Sequence, residues 1–383
     1  MTLPSLQVRE RVLLALWVGA VLVVSVQASA HHNNNFEIFR TSFLNLLGGA
    51  DLYAASPRHQ DLFKYSPTFA LLFAPFALVP FWLGVLLWNG LNALALYWGL
   101  GRLLDGEPLL AARALVFLDT VGAMQNVQSN ALVAGLMIIG CAELDRRREM
   151  RAAVAIAIGA AIKIFPIVAA VYAVFRPYRV PRFALHGVLA GLALLAAPLL
   201  VLSPAQLAGQ YHSWGAIQQS DALARGHSMM FQLEVWLGLG IPNWPIQLAA
   251  VIVLLAPLAR LQYWGLERFR QLFLASVLMF CVLFNHKAES PTFVVALAGV
   301  ALWFAAMPRT RGTWVVLWLV IVGTVLSSSE AMPRAIQEGF FEPWRLKILP
   351  VFLVWLLTQR ALWRQTAPVT FPPPRASREA PAT

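Results

Sequence analysis

Charge is scarce in this chain. Only 12% of its 383 residues are charged, against about 25% in an ordinary soluble domain. That shortage excludes a soluble enzyme built round one buried core. With 59% of residues hydrophobic, a disordered protein is excluded as well. Cysteine is scarcer still. Cys141 and Cys281 both lie inside apolar runs, which leaves no disulfide framework and no Cys/His spacing for zinc. The acids lack a compact ligand spacing, so no metal is expected. Lysine is the rarest charged type: among 29 basic residues only Lys64, Lys163, Lys287 and Lys347 are lysines.

What is present in quantity is apolar sequence. Mean hydropathy is +0.66, and runs of roughly 15–20 apolar residues recur, each long enough to approach a bilayer's thickness. The expected fold is all-α and polytopic, with about ten transmembrane helices plus short re-entrant or interfacial helices. The net charge of +11 sits in short clusters between apolar runs. The positive-inside rule explains that placement, and nucleic acid is not an expected partner; membrane lipids are. Arg9 and Arg11 place the N-terminus inside. The run from Val12 ends in Ala28-Ser29-Ala30, which resembles a signal-peptidase site, but it is long for a signal core and reads as an uncleaved first helix. Residues 152–175 have basic flanks on both sides, with Lys163 and Pro166 between them. A re-entrant pair of half-helices with Lys163 at its buried tip satisfies both flanks. Residues 1–365 read as one integral-membrane domain with external loops at 31–66 and 203–243. The Pro-rich tail 366–383 reads as disordered. Both termini are expected in the cytoplasm.

The acids, histidines and amides collect outside. Glu37, Asp51, Asp61, Asp221, His227, Glu234, His286, Glu289, Glu330 and Glu338 all fall in expected external segments, whereas only Asp119 and Lys163 fall within the membrane. A transporter would place ionisable groups at the midplane, so the pattern favours a site on the outer face. In the first loop Phe36, Phe39, Phe43, Leu46 and Leu47 recur at helical spacing and predict a short interfacial helix capped by Asn35. Glu37 then lies in the first turn, where the helix dipole favours a negative charge. It reads equally as a general base or as an acid that steadies the turn. Ser66 and Pro67 start a half-helix whose N-terminus, next to Lys64 and Tyr65, suits a phosphate. Lys287-Ala288-Glu289-Ser290-Pro291 repeats that arrangement. His286 and Glu289 lie three apart and are able to share a proton or hold a sugar hydroxyl. Asn126, Gln128 and Asn130 form a hairpin tip that suits hydroxyls but also suits an ordinary loop. Tyr211, Trp214, Gln218, Asp221, His227, Phe231, Glu234 and Trp236 give the second loop the mixture found in carbohydrate or headgroup clefts.

Several segments in order carry a resemblance. They are Asp51-Leu52-Tyr53, Phe63-Lys64-Tyr65-Ser66-Pro67 with its apolar continuation to Pro80, and Leu87-Trp88-Asn89-Gly90-Leu91-Asn92. Gln125-Asn126-Val127-Gln128-Ser129-Asn130 and Ala160-Ala161-Ile162-Lys163-Ile164-Phe165-Pro166 follow. Over roughly residues 30–310 the chain resembles glycosyltransferase family 87, membrane mannosyltransferases of the C-type fold. The resemblance implies transfer of a hexose, typically mannose, from a polyprenyl-phosphate donor to a glycan or glycolipid acceptor. The setting would be the external face of a bacterial-type plasma (inner) membrane, with no cofactor and no glycine-rich nucleotide loop. It also implies an acid in the first external loop as the base. Lys64, Lys287 and Lys163 would hold the phosphate, and Tyr65, Ser66, Asn126, Gln128, Asn130, His286 and Glu289 would complete the substrate site. The family often has Asp-(Phe/Leu)-x-Val-Tyr where this chain has Asn35-Phe36-Glu37-Ile38-Phe39. Glu37 is therefore the first choice for the base, followed by Asp61 and Asp51. The alternative is a transporter or flippase for a lipid-linked saccharide, dependent on Lys163 and Asp119 and tolerant of Glu37→Gln. A non-catalytic membrane assembly factor is a third reading, in which no external carboxylate matters.

Overall fold

The computed structural model describes residues 5–221, 226–238, 240–329 and 332–365, and these are mainly helical, with no strand among them. The tail 366–383 and Glu330 lie outside the described residues. In chain order come α1 (Leu6–Ala30), α2 (Asn34–Leu47), α3 (Pro67–Leu72), α4 (Ala74–Ala77), α5 (Phe81–Leu100), α6 (Gly106–Gln125), α7 (Asn130–Asp145) and α8 (Glu149–Ile162). A 3₁₀ segment, Phe165–Phe175, leads to α9 (Val180–Ala196), α10 (Pro204–Asp221), α11 (Met229–Leu237), α12 (Asn243–Leu255) and α13 (Glu267–Leu283). The last elements are α14 (Phe293–Ala306), α15 (Arg311–Val320), the single turn α16 (Arg334–Ile336) and α17 (Leu349–Trp363).

Among the described residues, four helical stretches are long and apolar enough to cross a bilayer: Leu6–Ala30, Phe81–Leu100, Pro177–Leu200 and Leu346–Trp363. This is a membrane protein. The remaining apolar helices are shorter, and two of them show opposite environments. Helix α14 is buried at every position from Phe293 to Phe304, as an all-round apolar helix in the middle of a bundle should be. Helix α9 buries only Phe183 and exposes Leu185, Val188, Leu189 and Leu192, a surface suited to lipid chains. Helices α5 and α7 approach closely at Gly135, where an added Cβ would lie 2.4 Å from the Ala95 carbonyl carbon. Small residues at such crossings let backbones touch.

Helix α2 carries the expected stripe: Phe36, Phe39, Phe43 and Leu46 are buried, and Leu47 is exposed. The stripe packs on protein, with Phe39 edge-on to Phe69 at 5.1 Å and to Trp88 at 6.1 Å between ring centroids. One local expectation is corrected. The cap of α2 is Asn33, not Asn35; its side chain accepts from the amides of Asn35 and Phe36 at 3.0 and 3.3 Å. Three consecutive asparagines offer the same capping chemistry, and tertiary contacts, invisible in the local sequence, choose among them.

The chain reverses at Lys163. The end of the 3₁₀ segment returns to the start of α8, where Arg179 pairs with Glu149 and Arg176 lies 3.1 Å from Asp145. Asp145 also meets the buried Arg270 at 2.9 Å and accepts from the Tyr172 hydroxyl at 2.7 Å. One carboxylate thus ties the 3₁₀ segment and α13 to α7. Asp145→Asn is expected to lower stability by roughly 1–3 kcal/mol, the range for losing hydrogen bonds to a charged, half-buried group, read as a drop in the thermal unfolding temperature of the detergent-purified protein. An unchanged temperature would show that this clasp contributes nothing.

Candidate active site

A cavity of about 640 Å³ opens where the α6–α7 tip, the break at Lys163, the loop before α3, helix α10 and the loop after α13 converge. Nine of the predicted residues line it: Asp61, Lys64, Tyr65, Asn126, Gln128, Lys163, His286, Lys287 and Glu289. They come from segments up to 228 positions apart in sequence, as between Asp61 and Glu289. Asn130 and Ser66 support it from beneath. Ser66 caps α3 by accepting from the Phe69 amide at 3.2 Å, and its hydroxyl donates to the Ala161 carbonyl at 2.5 Å, pinning α3 to the end of α8. Glu37 and Asp51 do not line the cavity. Glu37 accepts from the Thr41 hydroxyl at 3.3 Å. Asp51 closes a turn, accepting from the Tyr53 amide at 3.0 Å.

Two polar networks organise the walls. In the first, the Lys163 ammonium donates to Asn130 Oδ1 at 2.7 Å, Asn130 Nδ2 donates to Gln128 Oε1 at 2.5 Å, and Gln128 Nε2 donates to Glu289 Oε2 at 2.7 Å. A half-buried cation is thereby linked to a carboxylate through two side-chain amides, each of which accepts one hydrogen bond and donates the next. In the second, Asp221 accepts from Lys287 and, at 3.5 Å, from Lys64. Two of the four lysines therefore converge on one acid, and a third stands in the same cavity.

The three asparagines at the start of α2 hold the rim. Asn33 Nδ2 donates to the Gln125 carbonyl at 3.0 Å, and Asn35 Nδ2 donates to the Asn126 carbonyl at 2.7 Å. Asn34 accepts from the Gln60 amide at 2.9 Å and reaches Asp61 at 3.5 Å. Between Asn126 and Gln128, the buried Val127 has φ of +48°. That left-handed backbone is unfavourable for a β-branched residue and persists only where its surroundings enforce it. The Trp88 indole does so by donating to the Val127 carbonyl at 3.1 Å. The strained turn is what presents Gln128 to Glu289. On the other side, the amides of Gly226 and His227 donate to the carbonyls of His286 and Ala288 at 2.8 and 2.6 Å. A Cβ on Gly226 would lie 2.5 Å from the Ala288 carbonyl oxygen, so only glycine permits this approach.

Burial sets the charge states at the rim. Burial, and then the ammonium of Lys64, push Lys287 down to about 7. Burial raises the phenols of Tyr65 and Tyr53 well above their usual range, keeping both neutral; the Tyr53 hydroxyl donates to the Tyr65 carbonyl at 2.8 Å. His227 is pushed down to about 4, by burial and then by Lys347 and Arg345, and is neutral at pH 7.

Asp221, Trp214 and Gln218 also line the cavity, although nothing in the local sequence gives any of them an individual role. The signal they share is periodic. Tyr211, Trp214, Gln218 and Asp221 recur at helical spacing, and α10 presents them along one face. Trp214 Nε1 and Gln218 Nε2 both donate to the Lys64 carbonyl, at 3.2 and 3.1 Å. This face of α10 holds Lys64 in place. The cavity thus offers three ammonium groups for a phosphate, carboxylates able to take a proton, amides for hydroxyls, and the rings of Trp214 and Tyr65 as apolar walls.

The sequence model of glycosyltransferase family 87 matches residues 63–285, more than half of the chain. The chain belongs to glycosyltransferase family 87. No curated protein matches it significantly. The part of this glycosyltransferase that matches its family runs from the loop before α3 to the start of the loop after α13. It contains Lys64, Gln128, Asn130, Lys163 and Asp221, while Asp61, His286, Lys287 and Glu289 stand just beyond its ends.

Proposed function

We propose that this glycosyltransferase moves a hexose, by family resemblance mannose, from a polyprenyl-phosphate donor to a hydroxyl of a glycan or glycolipid. The proposed site is on the external face of a bacterial-type plasma membrane, with both termini cytoplasmic. The observation that carries the reading is the gathering of Lys64, Lys163 and Lys287 in one cavity that also holds Asp61, Asp221 and Glu289. A donor phosphodiester has one negative charge, and the polyprenyl phosphate that leaves gains a second. Ammonium groups placed where that charge grows stabilise the transition state more than the ground state.

In this reading the acceptor hydroxyl gives its proton to Asp61 as its oxygen bonds to the anomeric carbon. The bond from that carbon to the phosphate oxygen breaks, and its electron pair stays on the phosphate. The position of Asp61 in the cavity supports it as base ahead of Glu37 and Asp51, which stand outside. Gln128 and Glu289, fixed by the chain from Lys163, would orient sugar hydroxyls. Lys287 and Lys64 would exchange part of their contact with Asp221 for the phosphate.

A pH dependence follows. Lys287 is lowered to about 7, so its charge is complete below that value and is lost as pH rises through it. Affinity for polyprenyl phosphate is expected to fall between pH 6 and 9, and Lys287→Gln to flatten that fall. A wild-type profile that is flat over this range would remove Lys287 from the phosphate site. The donor class itself is tested by equilibrium binding of polyprenyl-phosphate mannose against a nucleotide sugar. Binding of the first and not the second is expected, and the reverse would overturn the assignment.

A further inference from the structure

A second cavity, of about 510 Å³, lies at the other end of the α13–α14 pair. The candidate active site touches the loop after α13, whereas this cavity begins at Arg268 in its first turn and at Trp303 near the end of α14. The 17 residues of α13 separate the two by about 25 Å. Helices α15 and α17 complete the walls. Arg268, Arg360 and Arg364 line it, and no carboxylate does among the described residues. Arg268 is held in position by donating from Nε to the Ala306 carbonyl at 2.9 Å.

Three further features point to an anionic occupant. Helix α15 starts at this cavity, with Thr310 as its cap and Gly312 in its first turn, so its unsatisfied amides and positive dipole end lie at the same place as the arginines. A Cβ at Gly312 would meet only the Thr310 hydroxyl, at 3.8 Å, which leaves the backbone there open to approach. Trp303 lines the cavity and is 1% exposed, and its indole N–H has no acceptor among the described residues. Such a donor is costly to leave unpaired. At the same end, Trp314 and Trp363 are about half exposed on α15 and α17, as aromatic side chains at a bilayer surface are.

We propose that this cavity binds a phosphate group, carried by the headgroup of an anionic lipid, at the end of the bundle opposite the active site. Guanidinium groups suit phosphate oxygens, and the exposed tryptophans place the cavity where headgroups lie. The site is separate from the transfer reaction and would tie α13, α14, α15 and α17 together.

The test uses the full chain, delipidated in a neutral detergent. Its thermal unfolding is followed on addition of phosphatidylglycerol, phosphatidylcholine or glycerol 3-phosphate. Phosphatidylglycerol is expected to raise the unfolding temperature, and phosphatidylcholine to have little effect. In the Arg360→Gln/Arg364→Gln variant the concentration for half the shift should rise about tenfold or more. Gly312→Leu, which keeps every arginine but puts bulk at the start of α15 where the cavity opens, should weaken the shift comparably and serves if the double variant is poorly folded. A shift given equally by glycerol 3-phosphate would keep the phosphate site but make its ligand a soluble one. Equal shifts in the wild type and in Gly312→Leu, or no shift with any phosphate, would overturn the proposal.

Discussion

With Asp61 as the proposed base, Asp61→Asn is expected to lower the rate of sugar transfer roughly 10²–10⁴-fold, the usual contribution of a positioned general base. Donor affinity stays within a few-fold of wild type. The substitution keeps the size of the side chain, and Asn34, Gln60 and His59 still hold the loop through its backbone, so the loss should fall on kcat rather than on folding. Glu37→Gln and Asp51→Asn serve as comparisons. Neither side chain lines the cavity, and each variant should retain a rate within a few-fold of wild type. If Glu37→Gln abolished transfer while Asp61→Asn did not, α2 would have to present Glu37 to the substrate in a different orientation.

Lys163→Met has the second large expected effect. The ammonium begins the chain through Asn130 and Gln128 to Glu289, and it stands in the same cavity as Lys64 and Lys287. Its loss removes one charge from the proposed phosphate site and leaves Asn130 Oδ1 without its donor. Removing a single group that stabilises charge in a transition state lowers kcat by roughly 10²–10³. The orphaned acceptor costs about 1–3 kcal/mol of stability. Kinetics separate these effects. A variant whose kcat and donor affinity both fall, at a temperature well below its unfolding, supports a direct role for the ammonium. A variant that only unfolds earlier, with unchanged kinetics, would make Lys163 a purely structural residue.

The legible part of this molecule was its chemistry more than its geometry. The scarcity of lysine made Lys64, Lys163 and Lys287 stand out, and the structure gathers all three. The basic flanks on both sides of residues 152–175 required a reversal, and the ion pair from Arg179 to Glu149 joins the two ends. Ser66 and Pro67 start α3 because capping chemistry is local. What the sequence obscured depends on long-range contacts. Asn33, Asn34 and Asn35 are locally equivalent, and only their partners at Gln125, Gln60 and Asn126 give each a separate task. The first-turn position of Glu37 suits a base, but the cavity faces Asn35, Ile38 and Phe39 of the same helix. Asp221 was one acid among several in a long loop until α10 and the lysines fixed its meaning. The left-handed Val127 carries no sequence signal, since its backbone is set by the Trp88 indole.

The most direct test of the central claim is release of polyprenyl phosphate by the purified full-length protein. It would be supplied with polyprenyl-phosphate mannose and a mixed glycan and glycolipid acceptor pool, with wild type and Asp61→Asn run side by side. The account predicts acceptor-dependent release by the wild type and at least a hundredfold slower release by the variant, despite comparable donor binding. Donor binding by the wild type with no release under any acceptor would contradict it, as would undiminished release by Asp61→Asn.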